Sequence, residues 1–232
     1  MLLRDDPRVA RGMEAQLAAR RVRIARGEKP LGWKVGFGSP SALQMLGIKT
    51  PLVGYLMQSG RLASGATASL AGWTKPAAEP EIAITIDRDV KAGGDHNEAS
   101  NAIMSLTPAI ELADVDLPFQ DPEAILKGNI FQRHVVLGGS SRSGASTAGL
   151  VATVFRDSKE TGSTADPEAL TGKLPDIVRH VADLLGEFGE QLSAGDIIIA
   201  GSVLPPLTIA PEERSLRYEL SPVGGVSVDF SR

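Results

Sequence analysis

Short apolar segments of strand character recur along most of this chain, with no regular alternation of strand and helix between them. LGWKVGF, EIAITID, TPAIEL, HVVLGG, LVATVF, DIIIAG, LRYEL and GVSVDF carry apolar residues at every second position or in a short continuous run. Those are the patterns of half-buried and fully buried strands. Helical spacing is clearest over residues 174–188, where Leu174, Ile177, Val178, Val181, Leu184, Leu185 and Phe188 form one stripe. Residues 7–27 put Val9, Met13, Leu17 and Ile24 on one stripe, with Arg11, Arg20, Arg21, Arg23 and Arg26 around the rest. That arginine face is either solvated surface or an anion-binding patch. Ser39 and Pro40 open a short helix as N-cap and first-turn proline, and Gly47 closes it. Residues 97–106 (NEASNAIMSL) read as a further helix. Ser140 to Thr147 is a turn, since it lacks the Lys-Ser/Thr of a phosphate loop, and residues 156–172 are a polar connection. Many strands with few helices define an α+β, mainly β chain.

Composition narrows the function classes. With 232 residues, 42% hydrophobic and 22% charged, the chain can bury a substantial core, and disorder or coiled coil is not expected. Its net charge of -4 gives no reason to expect nucleic acid or an anionic membrane as partner. There is no cysteine, which excludes disulfides, zinc–thiolate sites and thiol nucleophiles. The N-terminus, MLLRDDPRVARGM, lacks a secretory apolar run, and no window reaches membrane-spanning length. A cytoplasmic location is therefore the expectation.

Two segments concentrate the chemistry. In AEPEIAITID, a strand period of two sends Glu79 and Glu81 to one face and Ile82, Ile84 and Ile86 to the other. Adjacent carboxylates repel, so such a pair needs solvent, a proton or a cation. In PAIELAD, Glu111 shares a face with Ala109, between Ile110 and Leu112 on the opposite one. A charge in so apolar a strand wants a partner. Converging carboxylates suit an oxygen-loving cation such as Mg²⁺ or Mn²⁺. On spacing alone, Glu-x-Glu also fits an exposed strand edge. His96, His134 and His180 are scattered without metal-ligand spacing, which disfavours zinc.

GWKVGFGS (32–39), GYL (54–56), AEPEIAITI (78–86), TPAIELAD (107–114), GNIFQRHVVLGG (128–139), AGDIIIAGSVLPPL (194–207) and GGVSVDF (224–230) occur in a characteristic order and spacing. In this the chain resembles the fumarylacetoacetate hydrolase-like superfamily, on its hydratase/decarboxylase branch of 2-keto-4-pentenoate hydratases and 4-oxalocrotonate decarboxylases. The pair EPE and PAIE is the specific part, and the likeness spans roughly residues 30–232.

The resemblance implies a fumarylacetoacetate hydrolase C-terminal-domain-like mixed β-sandwich or roll with flanking helices. Residues 1–30 would be an N-terminal helical segment and 31–232 the catalytic domain. It implies that Glu79, Glu81 and Glu111 bind Mg²⁺ or Mn²⁺, which chelates the carboxylate and 2-oxo oxygen of a 2-keto acid. Lys34 is implied in acid/base work, the residue-level alternative being a lysine that snorkels from an edge strand. Asn129 and Ser202 match substrate-pocket positions, although the turn here is Ala200-Gly201-Ser202 and lacks the family's first hydroxyl. Arg133 is either a ligand for a second substrate carboxylate or a surface residue. Ile130 to His134 either point outward or reshape the pocket. Where many relatives have acidic residues in a loop that reaches the active site, this chain has Met57-Gln58-Ser59.

The implied activity is a hydro-lyase on a 2-hydroxypenta-2,4-dienoate-type substrate, or a decarboxylase on an oxalocrotonate-type one. The alternatives are a C–C hydrolase of acylpyruvate or fumarylacetoacetate type, marked by a His/Glu dyad near the metal, and a non-catalytic relative. Assembly as a homo-oligomer and a place in aromatic compound catabolism go with the family.

Overall fold

The long apolar strands find each other. In a computed structural model that describes residues 5–232, the order is α1 (Pro7–Ala25), β1 (Pro30–Gly36), α2 (Pro40–Leu46), β2 (Leu52–Met57), β3 (Arg61–Ala63), β4 (Ala66–Ser69), β5 (Pro76–Ile86), α3 (His96–Ala102), β6 (Ile103–Asp114), α4 (Pro122–Lys127), β7 (Gln132–Leu137), β8 (Arg142–Ser143), β9 (Val151–Arg156), β10 (Lys159–Thr164), α5 (Leu174–Glu187), β11 (Ile197–Ser202), β12 (Leu207–Thr208), β13 (Ser215–Ser221) and β14 (Gly224–Ser231). The start of the N-terminal stretch read above for a secretory run, residues 1–4, lies outside the described residues. No described helix is long and apolar enough to cross a membrane.

A nine-stranded sheet runs β2-β1-β11-β5-β6-β7-β3, with β12 on β5 and β8 on β6; a five-stranded sheet runs β10-β9-β13-β14-β4 and packs against β6. Along β5, Ile82, Ile84 and Ile86 face the main core, which also takes the α5 stripe and the inner face of the smaller sheet. The opposite face carries Glu79, Glu81 and Ala83. Ala83 joins Leu31, Leu56, Ala109, Val135, Leu137 and Ile199 in a separate small apolar cluster. These residues come from strands spread across the large sheet. In a flat sheet β1 and β6, three strand spacings apart, would stand roughly 14 Å from each other. Lys34 of β1 nevertheless touches Glu111 of β6, which requires the sheet to curl around this face.

The helices follow local chemistry. Asp6 caps α1 ahead of Pro7, and Ser39 caps α2, which ends at Gly47 in the left-handed conformation (φ 62°). Val9, Met13 and Leu17 of α1 are buried, but the stripe then passes to Arg20, whose guanidinium lies 4.5 Å from the centre of the Trp33 ring, while Ile24 is left half-exposed. Arg11 pairs with Glu123, Arg20 and Arg21 with Glu190, and Arg23 with Glu28, so most of the arginine face serves internal ion pairs.

Three sequence expectations change at their boundaries. The helix read over residues 97–106 stops at Ala102, because Ile103 and Leu106 are buried in β6, where tertiary pairing overrides helical propensity. The polar connection 156–172 contains β10, a hairpin partner of β9 whose residues are largely exposed and show no apolar alternation. The turn 140–147 includes the two-residue strand β8 on β6.

Candidate metal centre and active site

Antiparallel pairing of β5 and β6 sets Glu79 directly opposite Glu111 and Glu81 opposite Ala109. Period two puts all three carboxylates on the concave face. One oxygen from each lies within 4.8 Å of the others. Glu81 and Glu111 are buried, as is Lys34. The Lys34 ammonium donates to Glu111 Oε1 in a short contact and to the Ile130 carbonyl at 3.1 Å. Glu81 Oε2 accepts the Gly201 N–H at 2.7 Å. A bulge in the pairing of β11 with β5 supplies that N–H, with Gly201 at φ 98°, a conformation that favours glycine. Glu81 Oε1 is buried with no partner.

This arrangement is electrostatically unbalanced, with three carboxylates against one ammonium. Burial, then the charge of Glu111, push the Glu79 carboxyl up to about 7, against the pull of Lys34. Glu81 is also held well above the usual carboxylate range, by burial first and then by Glu111 and Glu79. A divalent cation fits this set. It would answer the repulsion, take up the orphaned Glu81 oxygen, and meet only hard oxygen donors.

The imbalance has a measurable sign. A carboxyl whose folded pKa exceeds its unfolded value binds more protons when folded, so stability falls as pH rises between the two values. For Glu79 that window runs from the ordinary 4.5 to about 7. The chelator-treated protein is expected to melt at a lower temperature at about pH 8 than at about pH 5, and Glu79→Gln to flatten that slope. An identical slope in the variant would place the pH dependence elsewhere.

Lys34 is held in place by its surroundings. It runs over Gly54, where an added Cβ would lie 2.9 Å from Lys34 Cγ and 3.0 Å from Asn129 Oδ1. Asn129, Ile130 and Phe131 are consecutive non-glycine residues at positive φ (53°, 52° and 62°). Such backbone costs on the order of 1 kcal/mol or more per residue, and a β-branched residue tolerates it least. The Asn129 side chain anchors the turn, accepting from Tyr55 N and donating to Tyr55 O at 2.9 Å each. The turn presents the Ile130 carbonyl to Lys34. Sequence reading missed this turn: Asn129 is a residue type that tolerates positive φ, but nothing in Ile130 or Phe131 signals that the left-handed run continues.

Above the carboxylates opens a cavity of about 530 Å³. Lys34, Glu79 and Ser202 line it, and Ile130 and Phe131 form part of its wall. Glu81 and Glu111 lie on the same face beside Glu79. Ser202 Oγ donates to the Leu204 carbonyl at 2.5 Å. The other sequence candidates stand apart. Asn129 spends both side-chain atoms on Tyr55. Arg133 is not brought to the cavity: it bonds Asp116 at 3.0 Å and lies 3.5 Å from Asp114. The Gln58–Gly60 turn is also outside the lining, with Ser59 Oγ donating to Glu28 at 2.7 Å. None of the three histidines lines the cavity. His96 pairs with Asp176, His134 stacks on Trp73, and His180 contacts the Pro51 carbonyl.

The profile of the Fumarylacetoacetate (FAA) hydrolase C-terminal family matches residues 22–220, and the chain belongs to that family. A 2-hydroxyhexa-2,4-dienoate hydratase from Comamonas testosteroni is 28% identical over 219 residues, 91% of this chain and 82% of the relative. A 4-oxalocrotonate decarboxylase from a Pseudomonas species is 27% identical over 210 residues, 88% of this chain and 80% of the relative. Among solved structures, the 4-oxalocrotonate decarboxylase of Pseudomonas putida G7, complexed with magnesium and adipate, matches with a TM-score of 0.87 at 23% identity, over 96% of this chain and 86% of that one. Within the family this chain therefore stands with the hydratase/decarboxylase-type lyases.

Proposed function

We propose that the protein is a metal-dependent lyase acting on a small 2-keto acid or its enol, most readily by hydration of a 2-hydroxypenta-2,4-dienoate-type substrate. Glu79, Glu81 and Glu111 are the ligands of Mg²⁺ or Mn²⁺, Lys34 is the acid/base group, and Ser202 lies along the substrate. Asn129 acts by holding the turn behind Lys34. The observation that carries the reading is the contact of Lys34 with a glutamate triad beside a largely apolar cavity that Lys34 and Glu79 line. The magnesium in the Pseudomonas putida G7 decarboxylase supports a divalent ion. Residues 31–232 make up the catalytic domain in this reading, and a cytoplasmic homo-oligomer serving aromatic compound catabolism goes with it.

When bound, the cation supplies Lewis-acid polarisation of a 2-oxo group and offsets the negative charge that builds beside it. The chain's own residues do the rest. Lys34 and Glu79 are the titratable side chains in the lining, so the keto-acid head binds at their end. With its ammonium fixed by Glu111 and the Ile130 carbonyl, Lys34 is placed to give or take a proton at the carbon beside the 2-oxo group. The apolar wall excludes bulk water, which strengthens each of these interactions.

The second reading on the same platform is decarboxylation of an oxalocrotonate-type acid. A C–C hydrolase of acylpyruvate or fumarylacetoacetate type is less well supported, because no histidine is placed to form a water-activating dyad. The test is turnover of 2-hydroxypenta-2,4-dienoate, 4-oxalocrotonate and an acylpyruvate, each with Mg²⁺ and with chelator. Loss of dienoate absorbance in Mg²⁺ alone is expected. Turnover only of the acylpyruvate would select the hydrolase, and inertness toward all three would make this a non-catalytic family member.

A further inference from the structure

Part of the cavity wall is made of rings. Phe37, Phe119 and Phe131 form a closed triangle, with ring centres 5.9 Å (Phe37–Phe119), 5.7 Å (Phe119–Phe131) and 6.4 Å (Phe37–Phe131) apart and interplanar angles of 65°, 84° and 55°. These are edge-to-face and tilted packings, the favoured geometry for aromatic pairs. All three rings border the cavity. Two sit on strained backbone, Phe37 at φ 59° and Phe131 at φ 62°. Strain of this kind persists where the surrounding structure holds a residue in one place, and it clusters at binding sites.

The polar side chains of the same lining are already engaged. Ser39 Oγ caps Ala42 N and exchanges a hydrogen bond with Ser41, Thr171 donates to the Gly172 carbonyl, and Ser202 to that of Leu204. The cavity's ammonium, Lys34, is bound to Glu111. Outside it, Arg133 is held by Asp116, and the Lys75 ammonium is 5.9 Å from the centre of the Phe119 ring, on an exposed residue absent from the lining. A carboxylate packed against these rings would give up water and meet no unpaired cation in the lining, which is costly. An alkyl or aryl tail would lose nothing there and would bury apolar surface. The volume, about 530 Å³, lies in the range of pockets that enclose ligands of drug size, well beyond a five-carbon acid.

We infer that Phe37, Phe119 and Phe131 are specificity-determining residues that select 2-keto acids with an uncharged, apolar tail and reject those ending in a second carboxylate. The inference rests on the keto-acid reading of the site above, and it assigns a substrate preference opposite to that of an oxalocrotonate decarboxylase.

A matched pair of saturated probes tests it without turnover. 2-Oxohexanoate and 2-oxoadipate share the 2-keto acid head and the six-carbon chain and differ in the terminal group; pyruvate carries the head alone. Each is titrated calorimetrically into the Mg²⁺-loaded protein. The expected order is 2-oxohexanoate tighter than pyruvate, and tighter than 2-oxoadipate by at least about tenfold, equivalent to about 1.4 kcal/mol. Phe119→Arg, at a loop position of ordinary φ, is expected to shrink or reverse the ratio of the two six-carbon acids. Pyruvate binding with 2-oxoadipate equal to or tighter than 2-oxohexanoate in the wild type would overturn the inference while leaving the keto-acid reading intact. So would an unchanged ratio in a folded Phe119→Arg protein. If none of the three acids binds, both the keto-acid reading and this inference fall together.

Discussion

Glu81→Gln is expected to abolish divalent-ion binding while leaving the fold intact and the metal-free protein at least as stable as the wild type. The two effects separate because the two oxygens of Glu81 do different things. Oε2 accepts the Gly201 N–H, and the amide oxygen of a glutamine can keep that bond. Oε1 has no partner, and ionising the group adds charge to a site already holding Glu79 and Glu111. Replacing it spares the metal-free fold the choice between that repulsion and an uptake of a proton, and removes the anionic donor that a cation needs. A ligand that binds only the native state stabilises by about 2.7 kcal/mol at a hundredfold excess over its Kd. The wild type should therefore show an Mg²⁺-dependent rise in Tm, and the variant none at the same concentration. Retention of the full rise in Glu81→Gln would remove Glu81 from the metal centre. Loss of cooperative melting in the variant would instead make Glu81 a structural carboxylate.

How far this site was legible from sequence depends on the range of the interaction concerned. That Glu79 and Glu81 share a face follows from two residues of strand, and the separation from Ile82, Ile84 and Ile86 follows with it. The Ser39 cap and the Gly47 stop are equally local. That Glu111 lies opposite Glu79 is a matter of long-range register, which no local pattern carries, and here family resemblance did the joining. Arg133 shows the reverse case. Its type suited a carboxylate ligand, but β7 aims it at Asp116 and Asp114, and that depends on neighbours up to nineteen positions away along the chain. The left-handed turn was legible at most at Asn129, a residue type that tolerates positive φ, because Ile130 and Phe131 intrinsically prefer negative φ. It exists through tertiary restraint, chiefly the Asn129 clamp on Tyr55. The Gly201 bulge was half legible: a glycine within DIIIAGS hints at one, and only the structure shows that it delivers an N–H to Glu81.

Lys34→Met is expected to lower kcat by roughly a hundredfold to ten-thousandfold, the usual worth of a positioned acid or base. Divalent-ion affinity should stay within a few-fold or tighten. Both expectations come from one contact. The ammonium holds Glu111 Oε1, so it competes with a cation for that oxygen and cannot itself ligate while protonated. Methionine keeps the length of the stem and its packing over Gly54 while removing the charge. The metal-free variant pays for this in stability, because Glu111 is left buried without its ion partner. Breaking a buried pair from one side typically costs about 3–5 kcal/mol. Mg²⁺ should restore much of that loss by taking over Glu111, so the variant should depend on the ion for stability more than the wild type does. Adding Glu111→Gln should recover metal-free stability by removing the stranded charge, with no recovery of turnover. The decisive experiment pairs steady-state kinetics with thermal melts, in chelator and in Mg²⁺, for the wild type, the single variant and the double variant. Near-normal turnover in Lys34→Met would reduce the lysine to a counter-ion for Glu111. A metal-free melting temperature unchanged by the single substitution would mean that the Lys34–Glu111 pair contributes little to the fold and is kept for its chemistry.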